Sequence, residues 1–233
     1  MTNRIKIWLL IIGLWTVGLS SATAQEDEYK MELGAAGGVC YYMGDANYTA
    51  PYKDLGWCGG VMARFVLNQR MHIKTNLMAG KIAGDTRDFK NQYPGGAHTD
   101  FKRVIYDLGA QFEYNFLPYG TGRGYNGGHR FTPYVLAGLG FTFAPKPVDR
   151  VFTVNFPIGL GVKYKVAPRW NVGCEITMRF SMSDRLDVTR NDGLNLKDPY
   201  QIKGKGFKNK DSYSFTAFYI TYDLFAKCKD CNN

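Results

Sequence analysis

At 233 residues, with 45% hydrophobic and 15% aromatic side chains and a mean hydropathy of -0.28, the chain suits one domain. Beyond its first two dozen residues it excludes membrane helices, because no continuous apolar run is long enough to span. Its 29 basic against 20 acidic residues give a net charge of +9, which on an exported chain points away from nucleic acid and toward a lipopolysaccharide surface or an acidic partner.

Export is written at the amino terminus. Arg4 and Lys6 precede an apolar run from Ile7 to Leu19, and Ala22-Thr23-Ala24 ends it as a cleavage site before Gln25. Residues 1–24 are therefore expected to be a cleavable signal peptide and residues 25–233 a single β-barrel domain. The apolar run is too short for a spanning anchor, and no cysteine stands at the cleavage point as a lipoprotein signal requires. Removing Arg4 and Lys6 leaves 27 basic against 20 acidic residues, a charge of +7.

The mature chain reads as long strands with a period of two. The first is Tyr29 to Met43, followed by turn residues Gly44-Asp45-Ala46-Asn47. Trp57 to Leu67 returns and turns tightly at Asn68-Gln69-Arg70 into His72 to Asp85. After a polar loop with Pro94-Gly95-Gly96, Val104 to Phe116 sets Tyr106, Leu108, Ala110, Phe112 and Tyr114 against Asp107, Gly109, Gln111, Glu113 and Asn115. A glycine-rich connection, Leu117 to Arg130, leads to Phe131 to Ala144. Asn155 to Val166 and Trp170 to Met182 form the clearest pair: one face is apolar, the other glycine and charge, with Ala167-Pro168-Arg169 between them. A basic loop, Asp184 to Asp211, precedes Tyr213 to Phe225, where the alternation slips near Ala217 to Tyr219 and predicts a bulge.

Such lengths exceed those of ordinary half-buried strands and match tilted strands crossing a bilayer. The expected fold is all-β, an eight-stranded antiparallel transmembrane β-barrel like OmpA or OmpX. An even strand number puts both termini on one side, the periplasm of an outer-membrane barrel. The loops near Asp45, Thr86, Pro145 and Asp184 then face outward, and those at Asn68, Leu117 and Ala167 inward.

Eight strands leave an interior just wide enough for side chains. The inward positions Lys30, Glu32, Arg64, Lys74, Asp107, Glu113, Lys163, Lys165, Glu175 and Arg179 are expected to pair into a charge network that plugs the barrel and leaves no diffusion pore. His72, at an inner strand end, His98 and His129 read as surface residues, and none completes a Ser/His/acid set. No enzymatic activity, metal or cofactor is expected.

Five cysteines make an odd number in an oxidising compartment. Cys40 and Cys58 face inward on adjacent strands and are candidates for a bridge. Cys228 and Cys231 follow the last strand and are candidates for a bond to each other or to a periplasmic partner. Cys174 faces lipid.

Tyr41-Tyr42-Met43-Gly44-Asp45-Ala46-Asn47, Phe131-Thr132-Pro133-Tyr134-Val135-Leu136-Ala137-Gly138-Leu139-Gly140, Asn155 to Lys165, Trp170 and Ser183-Asp184-Arg185-Leu186-Asp187 together resemble the small outer-membrane barrels called PorG, of the type IX secretion system in Bacteroidetes. The resemblance implies a non-enzymatic component of a protein-export machine, associated from the periplasmic side with the ring of the PorK lipoprotein and PorN. The alternative is an OmpX-like or opacity-protein-like barrel whose basic loop grips lipopolysaccharide or a host surface. A lipid A-modifying hydrolase is the third reading.

Overall fold

A computed structural model of the protein describes residues 29–44, 51–88, 98–120, 128–145, 150–183, 185–189 and 210–226. The signal segment, Cys228, Cys231 and most of the basic loop lie outside these residues. The described chain forms strands β1 (Tyr29–Met43), β2 (Gly56–Val66), β3 (Met71–Asp85), β4 (Asp100–Asn115), β5 (Phe131–Ala144), β6 (Val151–Ala167), β7 (Trp170–Ser181) and β8 (Ser212–Ala226), with a short 3-10 turn at Thr86–Asp88. Each strand pairs antiparallel with its sequence neighbours and β8 closes on β1, so the sheet is a barrel.

The stagger follows from the register. From Met31 the pairing runs through Phe65, Ile73, Phe112, Ala137, Ile158, Met178 and Ser214 and returns to β1 at Tyr41, ten residues above its start. At about 3.3 Å per residue and about 4.8 Å between strands, that offset over eight strands tilts them by roughly 40°. One end of the barrel carries both ends of the strand array, the short β2–β3 and β6–β7 turns and the longer Leu117 to Arg130 connection, and is called here the terminal end. The other carries the long loops.

Alternation decides which side chains meet which solvent. The outer wall is apolar: Leu77, Leu108, Leu139, Ile158, Leu160 and Ile176 are all exposed at mid-height. Aromatic rings flank them, with Trp57, Tyr106, Phe143 and Phe152 toward the loop end and Tyr114, Phe116, Phe131, Tyr164 and Trp170 toward the terminal end. On β6, Phe152 and Tyr164 stand twelve residues apart, roughly 30 Å along the barrel axis at that tilt, which fits an apolar band of about 25 Å with its girdles. Phe152 and Phe218 expose 69% and 70% of their surface, tolerable only against lipid. The fold is a transmembrane β-barrel.

The turns are set locally. At the β2–β3 turn, Asn68 Oδ1 accepts from the backbone amides of Arg70 and Met71, each at 2.8 Å, an Asx arrangement that makes a tight reversal. The β6–β7 turn carries the irregularity in register, between Lys165 and Ala167.

The bulge expected in β8 is not there. β8 pairs in unbroken register with both β1 and β7, and Tyr213, Phe215, Ala217, Tyr219, Thr221 and Asp223 all point inward. The alternation slips in the sequence because the interior takes three aromatic rings from this strand, so hydrophobicity there does not separate the two faces.

Candidate functional site

The lumen is filled by ion pairs. At its centre Arg64, donated by β2, gives Nη1 to Glu32 Oε2 at 2.5 Å, and Nε and Nη2 to the two oxygens of Glu113 at 2.7 and 3.2 Å. Lys74 reaches both oxygens of Glu175 at 2.6 Å and lies 3.7 Å from Glu113, while Lys163 lies 3.5 Å from Glu113. Tyr134 donates to Glu175 at 2.8 Å, and the Arg64 guanidinium sits 5.1 Å from the Tyr219 ring centroid. Toward the loop end, Arg179 pairs with Asp107 at 3.0 Å, and Tyr213 and Asn155 donate to the same carboxylate at 2.6 and 2.7 Å. Toward the terminal end, Lys165 pairs with Asp223 at 2.5 Å, where Asn171 also donates.

Between the two mouths the charges balance. Five buried cations, Arg64, Lys74, Lys163, Lys165 and Arg179, face five buried carboxylates, Glu32, Asp107, Glu113, Glu175 and Asp223, while Arg103, Asp187 and Asp211 are buried at the loop-end mouth. Burying charge without a partner is costly, and breaking a buried pair is far worse than never having it. Each of the ten charges has an opposite charge within 4 Å, although the side-chain oxygens of Asn155, Gln111 and Asn115 beside them accept no hydrogen bond among the described residues. A cavity of about 10 Å³ beside Ala36, Met62, Lys74, Met78, Glu175 and Tyr219 has room for one water. Among the described residues the lumen is filled by side chains.

Of the ten charged residues expected inside, nine are brought together: Glu32, Arg64, Lys74, Asp107, Glu113, Lys163, Lys165, Glu175 and Arg179. Lys30 is not among them. It has the inward parity, but stands at the first turn of β1, below the walls, and is exposed. Asp223 was missed because the register of β8 was in question. His72 is not a surface residue: it is buried at 1% exposure, with Nδ1 3.2 Å from Lys163 Nζ and Nε2 3.3 Å from the Asn115 amide nitrogen. Its place opposite Glu113 in the β3–β4 register carries it inside, and the sequence parity of 72 with Lys74 and Asn76 was the signal for it. His98 and His129 are exposed.

Both mouths are capped. At the loop end Arg103 donates to the carbonyls of Ala144, Pro145 and Arg185 at 3.0, 3.3 and 3.0 Å, pinning the start of the basic loop. Leu186 is wholly buried in a cluster with Tyr42, Ile82, Phe101 and Ile105, and the one Tyr42 hydroxyl proton is shared between the Asp187 and Asp211 carboxylates. At the terminal end the Leu117 connection folds Tyr119 into the opening, where its hydroxyl donates to Asn171 at 2.8 Å and its ring lies 4.8 Å from Lys163 Nζ. Burial raises the Tyr119 phenol above its ordinary range, so it stays a neutral donor.

The expected bridge between Cys40 and Cys58 is not formed: both are free thiols, as is Cys174. Cys40 is paired with Gly56 and Cys58 with Gly38, so the two cysteines are diagonal rather than opposed, and the Cys40 thiol instead donates to the Lys81 carbonyl at 2.9 Å, with the Trp57 carbonyl 3.3 Å from the sulfur. Diagonal neighbours are generally too far apart for a disulfide without backbone movement. Among the described residues no group of three or more histidine, cysteine or acidic side chains is placed to hold a metal.

What remains open to a partner is the rim of the terminal end. Lys30, Arg70, Arg130 and Arg169 are exposed there, one from the start of β1 and one from each connection, and His129 stands beside them. Among the described residues no carboxylate is exposed at that end.

A family model described as a domain of unknown function, DUF6089, matches residues 6–233. No curated protein matches the chain. Among solved structures, the chain is similar to Neisserial surface protein A at 14% identity and a TM-score of 0.48, covering 83% of this chain and 97% of that one. The N-terminal β-barrel domain of Pseudomonas aeruginosa OprF shows 12% identity and a TM-score of 0.46, with 85% and 100% covered. Ail of Yersinia pestis shows 9% identity and a TM-score of 0.43, with 85% and 99% covered.

Proposed function

We propose, for a chain that belongs to the DUF6089 family, that it is a non-enzymatic outer-membrane subunit of the type IX protein secretion machinery, which anchors a PorK-like lipoprotein and PorN-like ring from the periplasmic side. The terminal end then faces the periplasm, as it does in barrels with an even number of strands. The observation that carries the reading is the cationic rim. Lys30, Arg70 and Arg130 crown an opening that Tyr119 has already closed, so the surface offers charge to a large acidic partner and no passage to a small solute. Electrostatic complementarity of this kind orients and accelerates docking. The sequence resemblance supplies the identity of the partner, and β8 ends at Ala226 on the same end, two residues before Cys228 in the sequence.

The test is a pull-down of the tagged protein from solubilised outer membranes, comparing wild type with Arg70→Glu/Arg130→Glu. Recovery of a ring lipoprotein by wild type, its loss in the variant, and a matching fall in secretion with the barrel still folded are the expected results. Recovery of the barrel alone by wild type overturns the reading and favours an outward-facing surface-binding barrel.

A further inference from the structure

The β6–β7 turn carries a feature that docking to a ring does not use. Arg169 reaches the rings of Tyr29 and Tyr222, which have the outward parity of β1 and β8, and the Tyr29 ring also lies 5.9 Å from Lys165 Nζ. Its guanidinium lies 5.6 Å from the Tyr29 ring centroid and 6.0 Å from that of Tyr222, and it donates Nε to the Tyr29 hydroxyl at 3.4 Å and Nη1 to the Tyr222 hydroxyl at 3.2 Å. Trp170 closes the cluster, edge-on to Tyr222 at 5.0 Å.

Three properties make this a receptor. The first is that it is built in advance: the turn contains Pro168, Ala167 pairs with Trp170 across it, and the Arg169 carbonyl accepts from the Asp223 amide at 2.8 Å. The second is that its free hydrogen-bonding capacity is mostly donor. Each phenol oxygen accepts from the guanidinium, so each phenolic proton is left to be given outward, alongside the remaining Nη2 protons. No carboxylate among the described residues pairs with Arg169, in contrast to the five buried cations. The third is its height. Tyr222 and Trp170 belong to the aromatic girdle of the terminal end, level with the phosphates of a bilayer.

A converging positive charge and donor set that faces lipid at headgroup level suits an oxyanion with several acceptor oxygens. We propose that Arg169, Tyr29 and Tyr222 form a binding site for the phosphodiester of a membrane glycerophospholipid, with the acyl chains laid along Trp170 and Ile220. The site goes beyond the secretion reading and does not depend on it; it needs only the barrel in its membrane. It fixes the rotation and depth of the barrel at one side, next to the termini.

The test is native mass spectrometry of the protein purified in detergent and titrated separately with phosphatidylglycerol, phosphatidylethanolamine, diacylglycerol and inorganic phosphate. Both phospholipids are expected to add one tightly held molecule, diacylglycerol none, and inorganic phosphate is expected neither to bind nor to compete at millimolar concentration. Arg169→Gln lowers phospholipid affinity about tenfold, Tyr29→Phe/Tyr222→Phe lowers it by a smaller factor, and Arg70→Gln, a rim cation outside the cluster, leaves it unchanged. All variants keep the gel shift of a folded barrel on heating. Equal binding of diacylglycerol, undiminished binding by folded Arg169→Gln, or an equal loss in Arg70→Gln overturns the assignment. Tight binding of inorganic phosphate alone reassigns the cluster to a soluble anion and overturns it as a lipid site.

Discussion

Replacing Glu113 by Gln removes one unit of negative charge from a central set of five cations and five carboxylates. Arg64 keeps Glu32 at 2.5 Å, and Lys74 keeps Glu175 at 2.6 Å. Lys163 loses its one carboxylate partner, 3.5 Å away, and retains a contact with His72. The lumen is left with one cation in excess. Uncompensated charge in a buried network costs about 3 to 5 kcal/mol; because glutamine still accepts from Arg64, the lower figure of about 3 kcal/mol is expected. With a urea slope of about 3 kcal/mol per molar, the unfolding midpoint falls by about 1 M. The wall carries Trp57 and Trp170 at opposite ends, so tryptophan fluorescence in detergent micelles or liposomes reports the transition. The decisive variant is Glu113→Gln/Lys163→Met, which restores neutrality. It should be more stable than the sum of the two single variants by at least about 1 kcal/mol. A Glu113→Gln midpoint within about 0.2 M of wild type, or strict additivity in the double variant, would refute the view that charge balance holds the lumen together.

Adjacent glycines on β2 give a sharper contrast. A Cβ on Gly60 meets the Leu77 carbonyl and the Met78 Cα, while one on Gly59 meets nothing nearer than the Ala36 carbonyl at 3.6 Å; Gly60→Ala should cost about 1 to 3 kcal/mol and Gly59→Ala less than about 0.5, read from the same urea transitions. Proteoliposomes of the wild-type protein should retain carboxyfluorescein as well as empty ones, and leakage above that background would contradict a sealed lumen. Arg103→Ala should free residues 185–189 from the mouth, so that protease added to intact cells cuts within 184–211 several-fold faster while heat modifiability is kept; an unchanged rate would count against the cap. Cys40 and Cys58 are buried as free thiols, so maleimide should label both after unfolding and neither in the folded barrel.

Alternation alone determined the strand number, the order of the strands and the face of almost every residue, because a barrel wall separates lipid from lumen at every second position. It therefore also identified Arg64, Lys74, Glu113 and their companions as inward. What alternation does not encode is height. Lys30 shares the inward parity, yet it stands below the wall and is exposed. Height comes from the ten-residue stagger around the barrel, which is a property of closure and of all eight pairings together. Partner choice is decided the same way: Glu32 on β1, Arg64 on β2 and Glu113 on β4 meet only because the wall curves round on itself. Where the lumen accepts aromatic rings, as β8 does with Tyr213, Phe215 and Tyr219, inside and outside become chemically alike in sequence and only the register separates them. Tyr119 is hidden for a different reason: a connection carries no period, and it is the packing of the mouth that draws its side chain in.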